Sequence, residues 1–225
     1  MALDAAPAVG ATARLTARDW HYVHRVMRRK VGDALEILTA AGAVWLATIV
    51  DGDGGIQFER VLCAPRPPAR GVVLYQALLK GDRFSEVVDR GTQAGVSRFV
   101  PLVTARTIVR DVSPSKWQRW QTIAKEASEQ CGRAEIPTIG PLVRLAEVEL
   151  NAEERGFVLH PDAPYARPWL EADSAPVALV VGPEGGLNAF EVQQLTQKGF
   201  LPLSLGPRVF RAENAGMVAA VLFLQ

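Results

Sequence analysis

The sequence predicts an α/β protein built on a parallel sheet, with a smaller antiparallel unit ahead of it. From Val72 onward, apolar runs of strand length alternate with stretches of helical period, the grammar of parallel strands joined by crossover helices. Before Ala64, short β-prone runs are separated by glycine turns, as in antiparallel hairpins. Between the two lies Ala64-Pro-Arg-Pro-Pro-Ala-Arg-Gly71, a stiff proline-rich connector that marks the boundary.

Residues 14 to 30 hold six Lys/Arg (Arg14, Arg18, Arg25, Arg28, Arg29, Lys30) against one acid, Asp19, with His21 and His24 beside them. Trp20, Val23, Met27 and Val31 recur at helical spacing and predict an amphipathic helix with Arg25, Arg28 and Arg29 on its other side. Such a face is either simply solvated or a phosphate-contacting patch. Strands are expected over 34–38, 44–50 and 56–62, and in the second unit over 72–79, 97–103, 156–160, 177–181 and 201–205. Helices are expected over 82–94, 114–131, 189–198 and 212–223. Ser113 and Pro114 suit the N-cap and first-turn positions, and Lys198-Gly199 a helix stop.

Two segments carry candidate chemistry. Val177-Ala-Leu-Val-Val181 is apolar without interruption, as a strand covered on both faces must be. It feeds Gly182-Pro-Glu-Gly-Gly186, and Asn188 stands three residues before Glu191, a pairing that caps a helix reciprocally. The loop is either a tight turn that needs glycine for geometry or a backbone cradle for a flat ligand. Glu184 and the missing Lys-Ser/Thr ending speak against phosphate. The second segment, Leu203-Ser-Leu-Gly-Pro-Arg-Val-Phe-Arg-Ala-Glu-Asn-Ala215, repeats the pattern of strand, glycine turn and helix. Both loops belong at the carboxyl ends of strands, where open α/β sheets bind ligands.

These residues resemble the RsmE family of small-subunit ribosomal RNA methyltransferases, of the SPOUT superfamily. The resemblance rests on Gly182 to Gly186 (G-P-E-G-G) and Leu205 to Ala215 (L-G-x-R-x-x-R-x-E-x-A). It also rests on Lys80-Gly81, on Glu126, Gln130 and Arg133, and on His24 through Arg29 followed by Gly32-Asp33. It covers nearly the whole chain and keeps motif order. It implies a PUA-like RNA-binding β-barrel over 1–70 and a SPOUT methyltransferase domain with a C-terminal trefoil knot over 71–225, forming a homodimer. The implied reaction moves a methyl group from S-adenosyl-L-methionine to N3 of a uridine in small-subunit (16S) ribosomal RNA, within the assembled subunit. The implied cofactor pocket comprises Leu159, His160, Val181, Gly182, Pro183, Gly185, Gly186, Leu203, Leu205, Gly206, Val209, Phe210 and Ala215. Arg211 is the first choice for stabilising a uracil anion, with Arg208 and Glu184 as further catalytic candidates. Glu184 or Glu213 could orient an arginine, hydrogen-bond the cofactor or act as base. Arg14, Arg25, Arg28, Arg29, Lys80 and Arg83 are the implied RNA contacts.

Two departures stand out from the family pattern. The usual R-T-E-T-A reads Arg211-Ala-Glu-Asn-Ala215, and the usual Lys-x-x-E-L-G-V reads Arg90-Gly-Thr-Gln-Ala-Gly-Val96. The first favours one alternative, a non-catalytic RNA-binding assembly factor; a SPOUT methyltransferase acting on transfer RNA is another enzyme reading. At 225 residues, 48% hydrophobic and 22% charged, the chain can bury a real core. Cys63 and Cys131 are isolated and the three histidines have no metal spacing, so no bound metal is expected. No membrane span or signal peptide is read, and a cytoplasmic protein is expected. A net charge of only +1 places any RNA contact on local patches.

Overall fold

The computed structural model describes residues 7–39, 42–63, 70–133, 135–165 and 174–224. The chain divides into two compact units, residues 1–67 with 128–135, and residues 68–127 with 136–225. The proline-rich connector lies outside the described residues except for Arg70 and Gly71.

In the first unit, β1 (Thr12–Arg14), β2 (Ala34–Leu38), β3 (Val44–Ile49) and β4 (Gly55–Cys63) form an antiparallel sheet in the order β1-β4-β3-β2. Among the described residues β1 and β2 are its free edges, so the sheet is open where the resemblance implied a closed barrel. Alternation decides its faces: Trp45, Ala47 and Ile49 are buried while Val44, Leu46 and Thr48 are only half-buried. Trp45 meets Phe58 edge-on with ring centroids 5.7 Å apart, and Leu35, Ile37 and Ile56 complete the core.

The basic helix departs from expectation. An α-helical turn, α1 (Ala17–His21), is capped by the Thr16 hydroxyl, which accepts from Asp19 N at 3.1 Å. It widens into a π turn over Tyr22–Val26, and Arg28 then takes a left-handed φ of 57°. The spacing of Trp20, Val23, Met27 and Val31 therefore does not make one apolar stripe: Val23 is buried, whereas Met27 and Val31 lie beyond the helix and are exposed.

The second unit is a parallel sheet of β5 (Val72–Ala77), β6 (Arg98–Val103), β7 (Thr138–Ile139), β8 (Val143–Arg144), β9 (Arg155–Leu159), β10 (Val177–Val181) and β11 (Leu201–Leu203). Its order is β11-β9-β10-β5-β6-β7, with β8 also paired to β6. Its helices are α2 (Arg83–Ala94), α3 (Pro114–Cys131), α4 (Ala189–Gln197) and, after the last strand, α5 (Ala212–Leu224). All five residues of β10 are buried, Val177, Leu179 and Val181 in one apolar layer and Ala178 and Val180 in the other. The face toward Val177 packs Phe84, Val87 and Val88 of α2, Trp120 and Ala124 of α3, and Ala219, Ala220 and Phe223 of α5. The opposite face packs Leu195 of α4, Leu187 and Phe200. From the central β5 the chain runs to β6 on one side and, later, to β10 on the other, so the side on which parallel strands are added switches there. Open parallel sheets bind ligands at the carboxyl side of such a switch. After β10 the chain passes β9 to place β11 at the edge.

Candidate active site

A cavity of about 700 Å³ opens at the carboxyl ends of β9, β10 and β11. Its wall includes every cofactor candidate read from the sequence, together with Arg208, Arg211, Glu184 and Arg83. The elements that hold these residues can be followed one loop at a time.

The glycine loop after β10 closes as a turn in which Gly186 N donates to Pro183 O at 2.8 Å, with Gly186 at a φ of 69°. Side chains from neighbouring elements hold it in place. The buried Gln76 of the central strand donates from Nε2 to Gly182 O at 3.4 Å. Glu184 accepts from Lys80 N at 3.0 Å and pairs with Arg83 at 3.5 Å. The Arg106 guanidinium donates to Gly185 O at 2.6 Å. Beyond the loop, Asn188 accepts from Glu191 N and Glu191 accepts from Asn188 N, each at 2.9 Å, which is the reciprocal cap the sequence predicts. Glu191 is 5% exposed and its other oxygen accepts from Ala105 N at 2.6 Å, so one carboxylate fastens two loops. Asn188→Ala is expected to cost about 1 kcal/mol. Glu191→Ala removes the acceptor of two N–H groups and is expected to cost roughly 2–3 kcal/mol in urea unfolding. Equal losses would mean the Ala105 contact adds nothing.

The loop after β11 is pinned by Ser204, whose N donates to Pro164 O at 2.8 Å and whose Oγ accepts from Gly206 N at 3.2 Å. It presents Val209, 77% exposed, and Phe210, 40% exposed, at the cavity. Apolar side chains so exposed beside a concave wall suit a ligand with a flat apolar face. Arg211 O accepts from Asn214 N and Ala215 N as α5 begins. The side chains of Arg208 and Arg211 are exposed and engage no acceptor among the described residues. Glu213 is 6% exposed and its Oε2 is buried without a donor among the described residues.

His160 also lines the cavity, but its Nδ1 accepts from Asp162 N at 3.3 Å and its backbone N donates to Leu203 O at 2.9 Å. Its ring therefore shapes the following turn. Arg106 and Asp162 were not legible as site residues, because both stand in polar loops outside any motif. The remaining RNA candidates lie in the first unit. Arg14 is committed internally, pairing with Asp51 at 3.0 Å and donating to Asp53 O at 2.8 Å. The backbone N–H groups of Gly55 and Asp53, with Arg14 beside them, hold the Asp51 carboxyl below its usual range. Arg25, Arg28 and Arg29 are exposed.

A family model described as RNA methyltransferase domain matches residues 66–224. A Synechocystis protein named Ribosomal RNA small subunit methyltransferase E is 35% identical over 219 residues, 94% of this chain and 72% of that protein. The chain belongs to the ribosomal RNA small subunit methyltransferase E family. Among solved structures, a Legionella pneumophila protein described as a methyltransferase, in complex with the cofactor SAM, is 31% identical with a TM-score of 0.79, covering 97% of this chain and 93% of that one. The Neisseria gonorrhoeae methyltransferase E bound to S-adenosyl methionine, 24% identical with a TM-score of 0.84 and the same coverage, shares the fold. Within the methyltransferase E family the two departures noted above meet in space. Arg90 Nη1 donates to Asn214 Oδ1 at 2.5 Å while Nη2 pairs with Glu86 at 2.8 Å, joining α2 to the first turn of α5.

Proposed function

We propose that the protein transfers a methyl group from S-adenosyl-L-methionine to N3 of a uridine in small-subunit ribosomal RNA. The observation that carries the reading is the cavity between the two glycine loops, with its exposed apolar rim, unengaged arginines and donor-less buried carboxylate. The residues present fit the cofactor. A Cβ at Gly182 would crowd Leu187 N at 3.0 Å, so the loop closes without strain only around glycine, whose backbone lines the cavity. The backbones of residues 181–186 and 203–206, with Leu159, Val209, Phe210 and Ala215, would hold it. When bound, it supplies an already electrophilic methyl on a sulfonium. The protein's share is alignment, worth several kcal/mol, and charge management. Arg211, with Arg208 beside it, faces the oxygens on which negative charge grows as uracil loses its proton. Glu184, braced by Lys80 N and Arg83, orders the loop.

The first unit, over about residues 1–70, is proposed as a PUA-like RNA-binding domain and residues 71–225 as a knotted SPOUT domain. Passage of the chain past β9 to reach β11, with α5 returning against α2 and β10, supports the knot. A homodimer through this domain is favoured by α5, which from Ala215 onward is apolar all round yet leaves Met217, Val218, Val221 and Leu222 only half-buried. The assembled small subunit is the proposed substrate. Among the described residues no helix is long and apolar enough to cross a membrane.

Tyr22, Val26 and Met27 stand exposed among Arg25, Arg28 and Arg29, a mixture suited to stacked bases and phosphates. Arg28→Ala with Arg29→Ala is expected to weaken RNA binding, leave cofactor binding unchanged and flatten the salt dependence by roughly 0.9 per lost phosphate contact. An unchanged slope would make this a solvated face. Titration with S-adenosylhomocysteine, and mass mapping of ribosomal and transfer RNA from a deletion strain, test the reading as a whole. No binding, or an unmodified site only in transfer RNA, would overturn it.

A further inference from the structure

We propose that Glu213 accepts the N3 proton of the target uracil. The proposal rests on the uridine reading above and names a group for a step that reading leaves open. Glu213 is the second residue of α5 and lies in the cavity wall, 6% exposed, with Oε2 buried and without a donor among the described residues. A buried carboxylate oxygen with no partner is costly, so a ligand that fills the cavity gains by bringing it a donor. The other acids of the wall are placed differently. Glu184 is taken by Lys80 N and Arg83, and Asp162 is exposed. Nδ1 of His160 already receives Asp162 N, and Arg83, Arg106, Arg208 and Arg211 are cations with no lone pair to offer.

Charge balance points the same way. The N3–H bond breaks and its proton goes to a Glu213 oxygen. The electron pair left on N3 forms the new N–C bond to the methyl carbon, and the C–S electrons stay on sulfur. One negative charge on the carboxylate and one positive charge on the sulfonium vanish together, leaving a carboxylic acid, a neutral thioether and a neutral methylated base. Around a carboxylate only 6% exposed, loss of both charges favours the forward direction. A neutral base would instead end as a buried cation. Arg211 then steadies the transient charge on the uracil oxygens while Glu213 takes the proton.

The test compares the parent with Glu213→Gln in single-turnover methyl transfer at saturating substrates across neutral and mildly alkaline pH. Mass mapping first establishes that the parent methylates uridine N3; methyl found elsewhere would overturn the uridine reading and this proposal with it. Given that product, the parent rate should be flat with pH. The Gln variant should be slower by about 10²–10⁴-fold and rise in proportion to hydroxide, as expected when a general base is missing. RNA carrying 5-fluorouridine at the target, whose ring ionises more readily, should rescue the variant selectively. A binding readout is independent of turnover: with S-adenosylhomocysteine present, the ionised fluorouracil RNA should bind Glu213→Gln more tightly than the parent, whose carboxylate repels it. A variant with the parent's rate and flat profile overturns the proposal. So does one whose main defect is lost S-adenosylhomocysteine affinity without fluorouridine rescue, which would give Glu213 to the cofactor's amino or hydroxyl groups. If Gln prevents folding, Glu213→Asp decides, because it keeps the carboxylate and should keep the flat profile. A hydroxide-dependent Asp variant would exclude Glu213 as acceptor.

Discussion

Gly182→Ala is expected to abolish S-adenosylhomocysteine binding, while Gly185→Ala stays within a few-fold of the parent. The sequence offers three glycines in this loop with nothing to rank them, and Gly185 is the natural first choice for a blocking substitution. Their surroundings rank them differently. A Cβ at Gly182 would sit 3.0 Å from Leu187 N, 3.0 Å from Leu187 Cγ and 3.1 Å from Gly186 C. Two of those atoms are backbone, so the turn itself must shift by a few tenths of an ångström, disturbing the contact from Gln76 and the entry to α4. A Cβ at Gly185 would meet only the Arg106 side chain, with Cδ at an ordinary 3.4 Å. Calorimetric titration of both variants, with melting curves to establish folding, distinguishes them. Parent-like affinity in a folded Gly182→Ala protein would mean that this turn does not form the cofactor wall.

Arg211→Ala is expected to lower single-turnover methyl transfer by about 10²–10³-fold, the usual loss when one donor to a developing oxyanion is removed. Cofactor and RNA affinities should change little, because the charge it meets exists only in the transition state. The guanidinium is free to act: it lines the cavity, is exposed and holds no carboxylate among the described residues. Arg211→Lys should rescue only partly, since an ammonium cannot offer two parallel donors. Unlike Glu213→Gln, Arg211→Ala should keep the parent's pH profile. If the alanine variant turns over at the parent rate with both substrates saturating, the oxyanion role passes to Arg208 or to backbone N–H groups.

What could be read in advance depended on whether the signal was local. Pro114–Cys131 and Val177–Val181 carry their own boundaries in capping residues, prolines and an unbroken apolar run, and both ends of each agree with expectation. The cap between Asn188 and Glu191 was legible for the same reason, although its extension to Ala105 was not. The two-residue strands β7 and β8 exist only because β6 offers them an edge, and nothing in their own residues announces them. Near the N-terminus, apolar residues at helical spacing misled, because periodicity cannot register the π turn or the left-handed Arg28 that aims Met27 and Val31 outward. Arg106 went unseen because it reaches Gly185 across 79 positions from a loop of ordinary composition. The meeting of Arg90 with Asn214 shows the same limit: two separate departures in sequence are one contact in the fold.

The order of β11, β9, β10 and β5 also governs when this protein can begin to work. Val177 pairs with Val72, and the cavity draws on Arg83 and Arg106 but otherwise on residues 159–215. The sheet and apolar core of the first unit lie within residues 11–63 and can form while the chain is still growing, although residues 128–135 join that unit later. The central strand β5 must wait with one long edge unpaired until β10 arrives, and parallel pairing across so much chain is slow. The RNA-binding surface proposed for the first unit therefore precedes the proposed reaction centre during synthesis. On that proposal a nascent chain engages RNA before it can hold a methyl donor, and a chain arrested before α5 binds without modifying, occupying substrate that finished molecules need.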